Sequence, residues 1–438
     1  MADPSVHVFE GKVYIYPSHD WESGIPEDDW GAHFDMRDYH VFSLEDVMEG
    51  DVTDHGMVLD KTDVPWVKRQ MWDCDCCEKD GKYYLYFPAK DHTDIFRLGV
   101  AVSDTPYGPF VPEPDPIRGS YSIDPAVFKD DDGQVYVYFG GLMGGQLQRY
   151  KDNSALECAG FPADDEPAIP SRVARLTEDM KQFAEEPRPV VILDENGKPL
   201  TAGDHDRRFF EASWMHKYNG KYYFSYSTGD THFLCYAIGD NPYGPFVYQG
   251  VILTPVVGWT THHCIVEYKG KWYLFHHDSV PSGGRTWLRS LKVCELHYDA
   301  EGKIETIEGR MINGYDRMKN WLWIIGLFFV LSLHAEDGHR LWLRMERNAV
   351  PADVRLVEGT RRTDILDIAS RELKDFWKGE GRVLLCVSKG GATRDGFTIR
   401  KKGQDMELLR HPTAACFMQP MICYAGSRPD DYCRMVRL

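Results

Sequence analysis

Helical periodicity is scarce over the first 313 residues, which argues against a helical bundle or an alternating α/β chain. The same stretch has no basic stripe, and the whole chain carries a formal net charge of −18, so nucleic acid and anionic membrane are poor partners for this part. Cysteines number 11 but build no secreted disulfide framework. Cys74, Cys76 and Cys77 crowd together and the others are scattered, with no second cluster at zinc-ligand spacing, so free thiols in a reducing compartment are expected. Met1-Ala2 leads into the first strand-like run without a leader pattern, and a cytoplasmic location is the corresponding expectation.

What is present instead is a repeated phrase: a glycine, a Lys or Gln, then a burst of aromatic and aliphatic β-formers. It stands at Gly11-Lys12-Val13-Tyr14, Gly81-Lys82-Tyr83-Tyr84, Gly133-Gln134-Val135-Tyr136, Gly220-Lys221-Tyr222-Tyr223 and Gly270-Lys271-Trp272-Tyr273. Eight or nine residues ahead of each glycine sits a polar residue: Asp3, Asp73, Asp124, Glu211 and His262. Alternating runs that turn through Asp or Gly describe antiparallel hairpins. Five equivalent hairpins, each bringing one ionisable group to the same point, predict an all-β chain folded as a five-bladed β-propeller with a charged centre. A second phrase, Thr105-Pro106-Tyr107-Gly108-Pro109-Phe110 and Asn241-Pro242-Tyr243-Gly244-Pro245-Phe246, cannot be helical and reads as matched turns between outer strands. The stretch from Lys151 to Asp206, rich in Pro, Asp and Glu, reads as an insertion between blades three and four.

The character changes near residue 313. Residues 1–313 carry a net charge of about −23 and residues 314–438 about +5, so the two parts are predicted to be a propeller domain and a C-terminal extension of uncertain fold. Within the extension, residues 318–335 have a positive start, the apolar run Trp321 to Leu333 and a closing His334-Ala335, the pattern of a secretory signal peptide in an interior position. The run is short for a membrane span. Beyond it, Arg340-Leu341-Trp342-Leu343-Arg344 and Ile365-Leu366-Asp367-Ile368 resemble the N-terminal region of family 67 α-glucuronidases, which implies a fusion fragment without activity of its own.

Ala2-Asp3-Pro4-Ser5, Ser122-Ile123-Asp124-Pro125-Ala126 and Phe210-Glu211-Ala212-Ser213 occur in that order, each followed by its Gly-Lys-Tyr-Tyr-type hairpin. Over residues 1–313 this resembles the family 43 glycoside hydrolases. The resemblance implies a small oligosaccharide substrate and catalysis by Asp3 as general base and Glu211 as general acid, with Asp124 orienting the acid and raising its pKa. Such chemistry needs one ionised and one protonated carboxyl group. Taken from the residues alone, Asp3 and Asp124 precede prolines and are expected to be extended strand starters. Glu211, between Phe210 and Ala212, sits among residues expected to be buried.

The resemblance also implies that His262 lies on the propeller axis, where it ligates a calcium ion or hydrogen-bonds the central carboxylates; the sequence leaves both open. Calcium prefers oxygen ligands, so one imidazole would need carboxylates or waters beside it. His263, by strand alternation, should face the other way. Arg285, after Ser282-Gly283-Gly284, resembles the family's substrate-binding arginine. Trp21, Phe34, Trp72 and Trp214 are candidate sugar platforms. Trp72-Asp73-Cys74-Asp75 departs from the family's Trp-Ala-Pro-Asp, and Asp73 adds negative charge near the axis. The segments Ser18-His19-Asp20-Trp21 and Asp35-Met36-Arg37-Asp38-Tyr39-His40-Val41-Phe42 are similar to small xylosidase-type members. The expected activity is therefore an inverting exo-glycosidase that releases xylose or arabinose from xylo-oligosaccharides. Arabinofuranosidase, arabinanase and a non-catalytic sugar-binding propeller are the rivals, and homo-oligomerisation is left open.

Overall fold

The structure, a computed structural model, describes residues 1–309 apart from 49–50, 152, 157–159 and 260, and four strands beyond them. The chain divides into two compact units, Met1–Leu341 and Trp342–Leu438. In the second, Val354–Leu356, Val383–Val387, Asp405–Arg410 and Phe397–Lys402 pair in that order, the last antiparallel to its neighbour. The signal-peptide-like segment 318–335 and the runs 340–344 and 365–368 lie outside the described residues. Among the described residues, no helix is long and apolar enough to cross a membrane.

Among the described residues, five sheets form the blades of the first unit, beside a two-stranded ribbon of Tyr150–Lys151 and Ser154–Ala155. Blade one orders Ala2–Phe9, Lys12–Ser18, Asp38–Leu44 and Thr53–Asp60 from the axis outward, and in blade two Asp75–Lys79 pairs with Lys82–Asp91 and Phe96–Ser103 follows. Blade three begins with Ala126–Lys129 and Val135–Phe139, blade four with Glu211–Tyr218 and Lys221–Ser227, and blade five is His263–Tyr268, Lys271–Asp278 and Ser290–Leu296. The innermost strands pack against one another all the way round, and Ala2–Phe9 returns against His263–Tyr268. The phrase Thr105 to Phe110 and its counterpart in blade four are the turns between third and fourth strands, as predicted.

The stretch Lys151 to Asp206 is not an insertion. It supplies the two outer strands of blade three, Ser171–Arg175 and Arg188–Val190, and the outermost strand of blade four, Ile192–Leu193. These strands are short and carry Arg and Pro, so they lack the alternation that marks a longer half-buried strand.

Local sequence explains the repeated hairpins. Glu10-Gly11, Asp80-Gly81, Asn219-Gly220 and Lys269-Gly270 all hold positive φ at both turn residues, the two-residue turn whose twist matches paired strands. A side chain at Gly81 would meet nothing within 4 Å, so glycine is needed there for its φ of +74° and not for space. Five residues beyond the repeat glycine of the first three blades, fully buried tyrosines staple one blade to the next. Tyr16 donates to the Pro106 carbonyl (2.6 Å), Tyr86 to Met180 (2.7 Å) and Tyr138 to Pro242 (2.6 Å), which satisfies each buried hydroxyl.

Among the described residues no strand is exchanged between the first and last blades, and side chains and loop backbone link them. The Tyr268 hydroxyl donates to the Glu45 carbonyl at 2.6 Å, and the backbone N–H of Asp3 donates to His277 Nδ1 at 3.0 Å. At the hub, buried Asp75 joins three blades: Oδ1 accepts from Ser5 Oγ, from His7 Nε2 (2.5 Å) and from the Cys76 N–H (2.8 Å), and Oδ2 from the Val127 N–H (2.5 Å). Only a carboxylate offers acceptors to all of them. Asp75→Asn points an NH₂ at these donors and should cost about 3 kcal/mol, measured by urea unfolding. A loss below about 0.5 kcal/mol, the low end of one ordinary hydrogen bond, would contradict this role.

Candidate active site

Asp3 and Asp124 are not extended. Their φ angles are +43° and +57°, in the left-handed region, and Ala212 after Glu211 has +60°. Pairing of the inner hairpin slips between Ala2 and Ser5 in blade one and between Glu211 and Trp214 in blade four. Each slip is a bulge that re-aims a side chain, here toward the axis. Non-glycine residues held at such angles cost energy that the surrounding structure must offset. Part of the offset is visible: Asp124 Oδ2 accepts the backbone N–H of Ala212 at 2.6 Å, which fixes the chain next to Glu211.

Asp3 is buried and faces a guanidinium. Arg289 Nη1 lies 2.8 Å from its Oδ1, while Arg289 Nε and Nη2 grip Asp20 at 2.9 and 2.7 Å. Burial alone would push the Asp3 carboxyl up; Arg289 first, then His277 and His262, overcome it and hold the group well below the usual carboxylate range. His277 Nδ1 accepts the Asp3 N–H, so its lone pair faces Asp3 and Arg289 is the cation that decides the balance.

Glu211 behaves in the opposite way. Burial, then the charges of Asp124 and Asp3, push its carboxyl well above the ordinary value, with Arg289 opposing weakly. Asp73 is pushed up for the same reasons, burial first and then Asp124, with which it shares a hydrogen bond. One pit therefore holds a carboxyl pushed low, Asp3, and a carboxyl pushed high, Glu211, both among its lining residues. The pit encloses about 550 Å³ including its open mouth.

A pair of carboxyls whose pKa values are pushed apart in one sugar-sized pit is the equipment for glycosidic cleavage. Residues 1–304 match the model of glycosyl hydrolases family 43. The chain belongs to that family. It is a glycoside hydrolase. It is 76% identical over 310 residues to a xylosidase/arabinosidase of Bacteroides ovatus, covering 71% of this chain and 95% of that protein. It is 70% identical over 309 residues to a β-xylosidase of Xylanibacter ruminicola, covering 70% and 97%. Among solved structures, RS223 β-xylosidase superposes with a TM-score of 0.71 at 69% identity, covering 71% of this chain and 96% of that one. CoXyl43, a β-xylosidase/α-arabinofuranosidase from a compost metagenome solved with xylotriose in a calcium-free form, gives 0.68 at 64% identity, covering 70% and 94%.

In this family 43 hydrolase, five of the sequence-derived candidates besides Asp3 and Glu211 share the pit: Phe34, Trp72, Asp73, Asp124 and His262 line it, and Asp124 also anchors blade four. Phe34 lies under Arg289, whose guanidinium carbon is 5.0 Å from the ring centroid, and Trp72 meets Phe34 edge-on at 6.2 Å. Gly31 lets the loop press onto this floor, since a Cβ there would sit 2.9 Å from the Trp72 ring.

Three candidates lie elsewhere. Trp214 is buried between blades, its Nε1 donating to the Ile265 carbonyl at 3.0 Å and its ring 5.6 Å from His7, so it is core. Arg285 is half exposed, 3.7 Å from Glu22, and is absent from the pit lining. The arginine of the pit is Arg289, four residues on. Its only trace in the sequence is a charge between apolar neighbours, Trp287-Leu288-Arg289-Ser290-Leu291. Trp21 is likewise outside the lining and stacks under Arg37 at 3.7 Å. His263 turns away, as alternation predicted, and bonds Ser225 Oγ at 2.7 Å.

The sequence reading also missed Asp20, Asp29 and the loop Gly140 to Gly145, which walls the pit beside Glu211. A Cβ at Gly141 would come 3.4 Å from the Glu211 Cβ and 2.6 Å from Ile123. Four glycines within Gly140-Gly141-Leu142-Met143-Gly144-Gly145 were the available signal.

Proposed function

We propose that this enzyme hydrolyses xylo-oligosaccharides from the non-reducing end with inversion, releasing xylose. Asp3 draws a proton from water, and Glu211 protonates the departing glycosidic oxygen. The observation that carries this is the opposite direction in which one pit pushes the pKa values of its two carboxyls. Inversion asks for carboxyls roughly 6.5–9.5 Å apart with water between them. Asp124 acts on Glu211 twice, by raising its pKa and by holding the Ala212 N–H. Arg289 keeps Asp3 ionised, and Phe34 and Trp72 offer apolar faces to the sugar ring. The relatives named xylosidase/arabinosidase, and the homologue solved with xylotriose, support a pentose in the pit.

Asp73, Asp124 and His262 suit a calcium ion in part: their ligand atoms lie within 4.8 Å of one another, two are carboxyls, and all three residues are buried. The upward push on the Asp73 carboxyl, by burial first and then Asp124, marks a crowding of carboxyls that a cation would relieve. When bound, such an ion would stabilise the ionised forms of the carboxyls around it.

Side-by-side hydrolysis of p-nitrophenyl β-D-xylopyranoside and p-nitrophenyl α-L-arabinofuranoside tests the substrate. The xyloside should be the faster, and chelation should lower the rate until calcium is returned. A faster arabinoside would reverse the sugar assignment. No release from either would overturn the proposal.

A further inference from the structure

The segments Ser18 to Trp21 and Asp35 to Phe42 contain charged and imidazole groups that the pit does not use. His19, Asp38 and His40 come together outside it, on blade one, where Lys12–Ser18 ends and Asp38–Leu44 begins. Each offers a ligand atom within 4.8 Å of the other two. His19 Nδ1 is 2.5 Å from Asp38 Oδ1, the two imidazole rings are 4.9 Å apart and edge-on, and His40 Nδ1 faces Asp54 Oδ1 at 3.4 Å. Side-chain exposures of 33% for His19, 21% for Asp38 and 22% for His40 leave the cluster reachable from solvent.

We propose that His19, Asp38 and His40 form a binding site for a divalent transition ion of the zinc class. Two imidazoles and one carboxylate are a donor set that such ions take, with water completing the shell. Zn–N and Zn–O bonds near about 2.0–2.1 Å bring tetrahedral ligands to about 3.3 Å apart, a contraction within reach of side chains on a loop end and a strand. Asp54 behind His40 is the outer carboxylate that orients a ligating imidazole. A hydrogen-bonded pair would need only His19 and Asp38; the second imidazole is what makes the set a ligand cluster.

The placement gives the ion a task. His19 opens and Asp38 closes the loop that carries Asp29, Gly31, Phe34 and Met36 to the pit wall. His19 precedes Asp20, which grips Arg289, and Tyr39, between Asp38 and His40, donates to the Trp72 carbonyl at 2.6 Å. An ion across the two ends ties this loop shut.

Full-length protein titrated with Co²⁺, followed by its visible d–d absorption, provides the test. The wild type should hold one equivalent more than the His19→Gln/His40→Gln double variant, and each single variant should bind that equivalent at least about tenfold more weakly. Zn²⁺ should raise the melting temperature of the wild type more than that of the double variant. Equal Co²⁺ stoichiometry with equal melting responses would overturn the site. Zinc-edge X-ray absorption of the wild type at one equivalent needs no variant: two imidazoles per zinc are expected, and a thiolate shell or a single imidazole would overturn it.

Discussion

Glu211→Gln lowers kcat/KM on xylobiose by about 10³-fold, the scale of a lost general acid. The same change costs far less on a dinitrophenyl xyloside, whose leaving group departs without a proton. The amide keeps the size of the side chain and removes only the proton source, so folding and substrate affinity should be preserved. The pH profile gives an independent check. Burial, then Asp124 and Asp3, push the Glu211 carboxyl up, so the wild-type rate should fall on the alkaline side as Glu211 ionises, above the ordinary glutamate range. That limb should vanish from the residual activity of Glu211→Gln. The sign for stability follows from the raised folded pKa: the contribution of Glu211 is full below its unfolded value and is lost as pH rises through the folded one. A uniform loss on both substrates, with the alkaline limb intact, would assign the acid to another residue.

Arg289→Gln has the larger effect on the folded state. It leaves Asp3 and Asp20 buried without their guanidinium, and removing one partner of a buried pair costs about 3–5 kcal/mol. Because Asp3 is held low in the native enzyme, its share of stability is present above its unfolded pKa and is lost as pH falls through the folded one. Without Arg289 the burial of Asp3 acts unopposed by its main partner and its pKa rises. The acid limb of kcat/KM should then move to higher pH, and activity at neutral pH should fall at least about 100-fold. Urea unfolding read beside the pH profile separates the two effects. A variant as stable as the wild type, with an unmoved acid limb, would show that Asp3 does not depend on Arg289.

Much of this site was legible because a propeller repeats one hairpin, and repetition makes position countable. Asp3, Asp73, Asp124, Glu211 and His262 were found by their distance from a turn glycine, and the ring brings all five to the pit. What the pattern hid lies where the repeat breaks down. Arg289 follows an irregular loop in which spacing gives no hint of which arginine, 285 or 289, turns inward. The left-handed φ of Asp3 and Asp124 runs against the extended preference of a residue before proline, and only the tertiary bulge imposes it. Asp73 and Asp75 stand two apart in one short segment, yet Asp73 lines the pit while Asp75 binds three blades together. Trp214 has the composition of a sugar platform, but burial between blades made it core. The outer strands within residues 151–206 were too short and too charged to show their period.

The stereochemistry of the first turnover tests the division of labour between Asp3 and Glu211 most directly. Proton NMR of xylobiose hydrolysis, recorded before mutarotation, should show α-xylose appearing first from the non-reducing unit, because water activated by Asp3 attacks opposite the departing oxygen. β-Xylose appearing first would mean that a carboxylate attacks the sugar itself, and the roles given to Asp3 and Glu211 would fall.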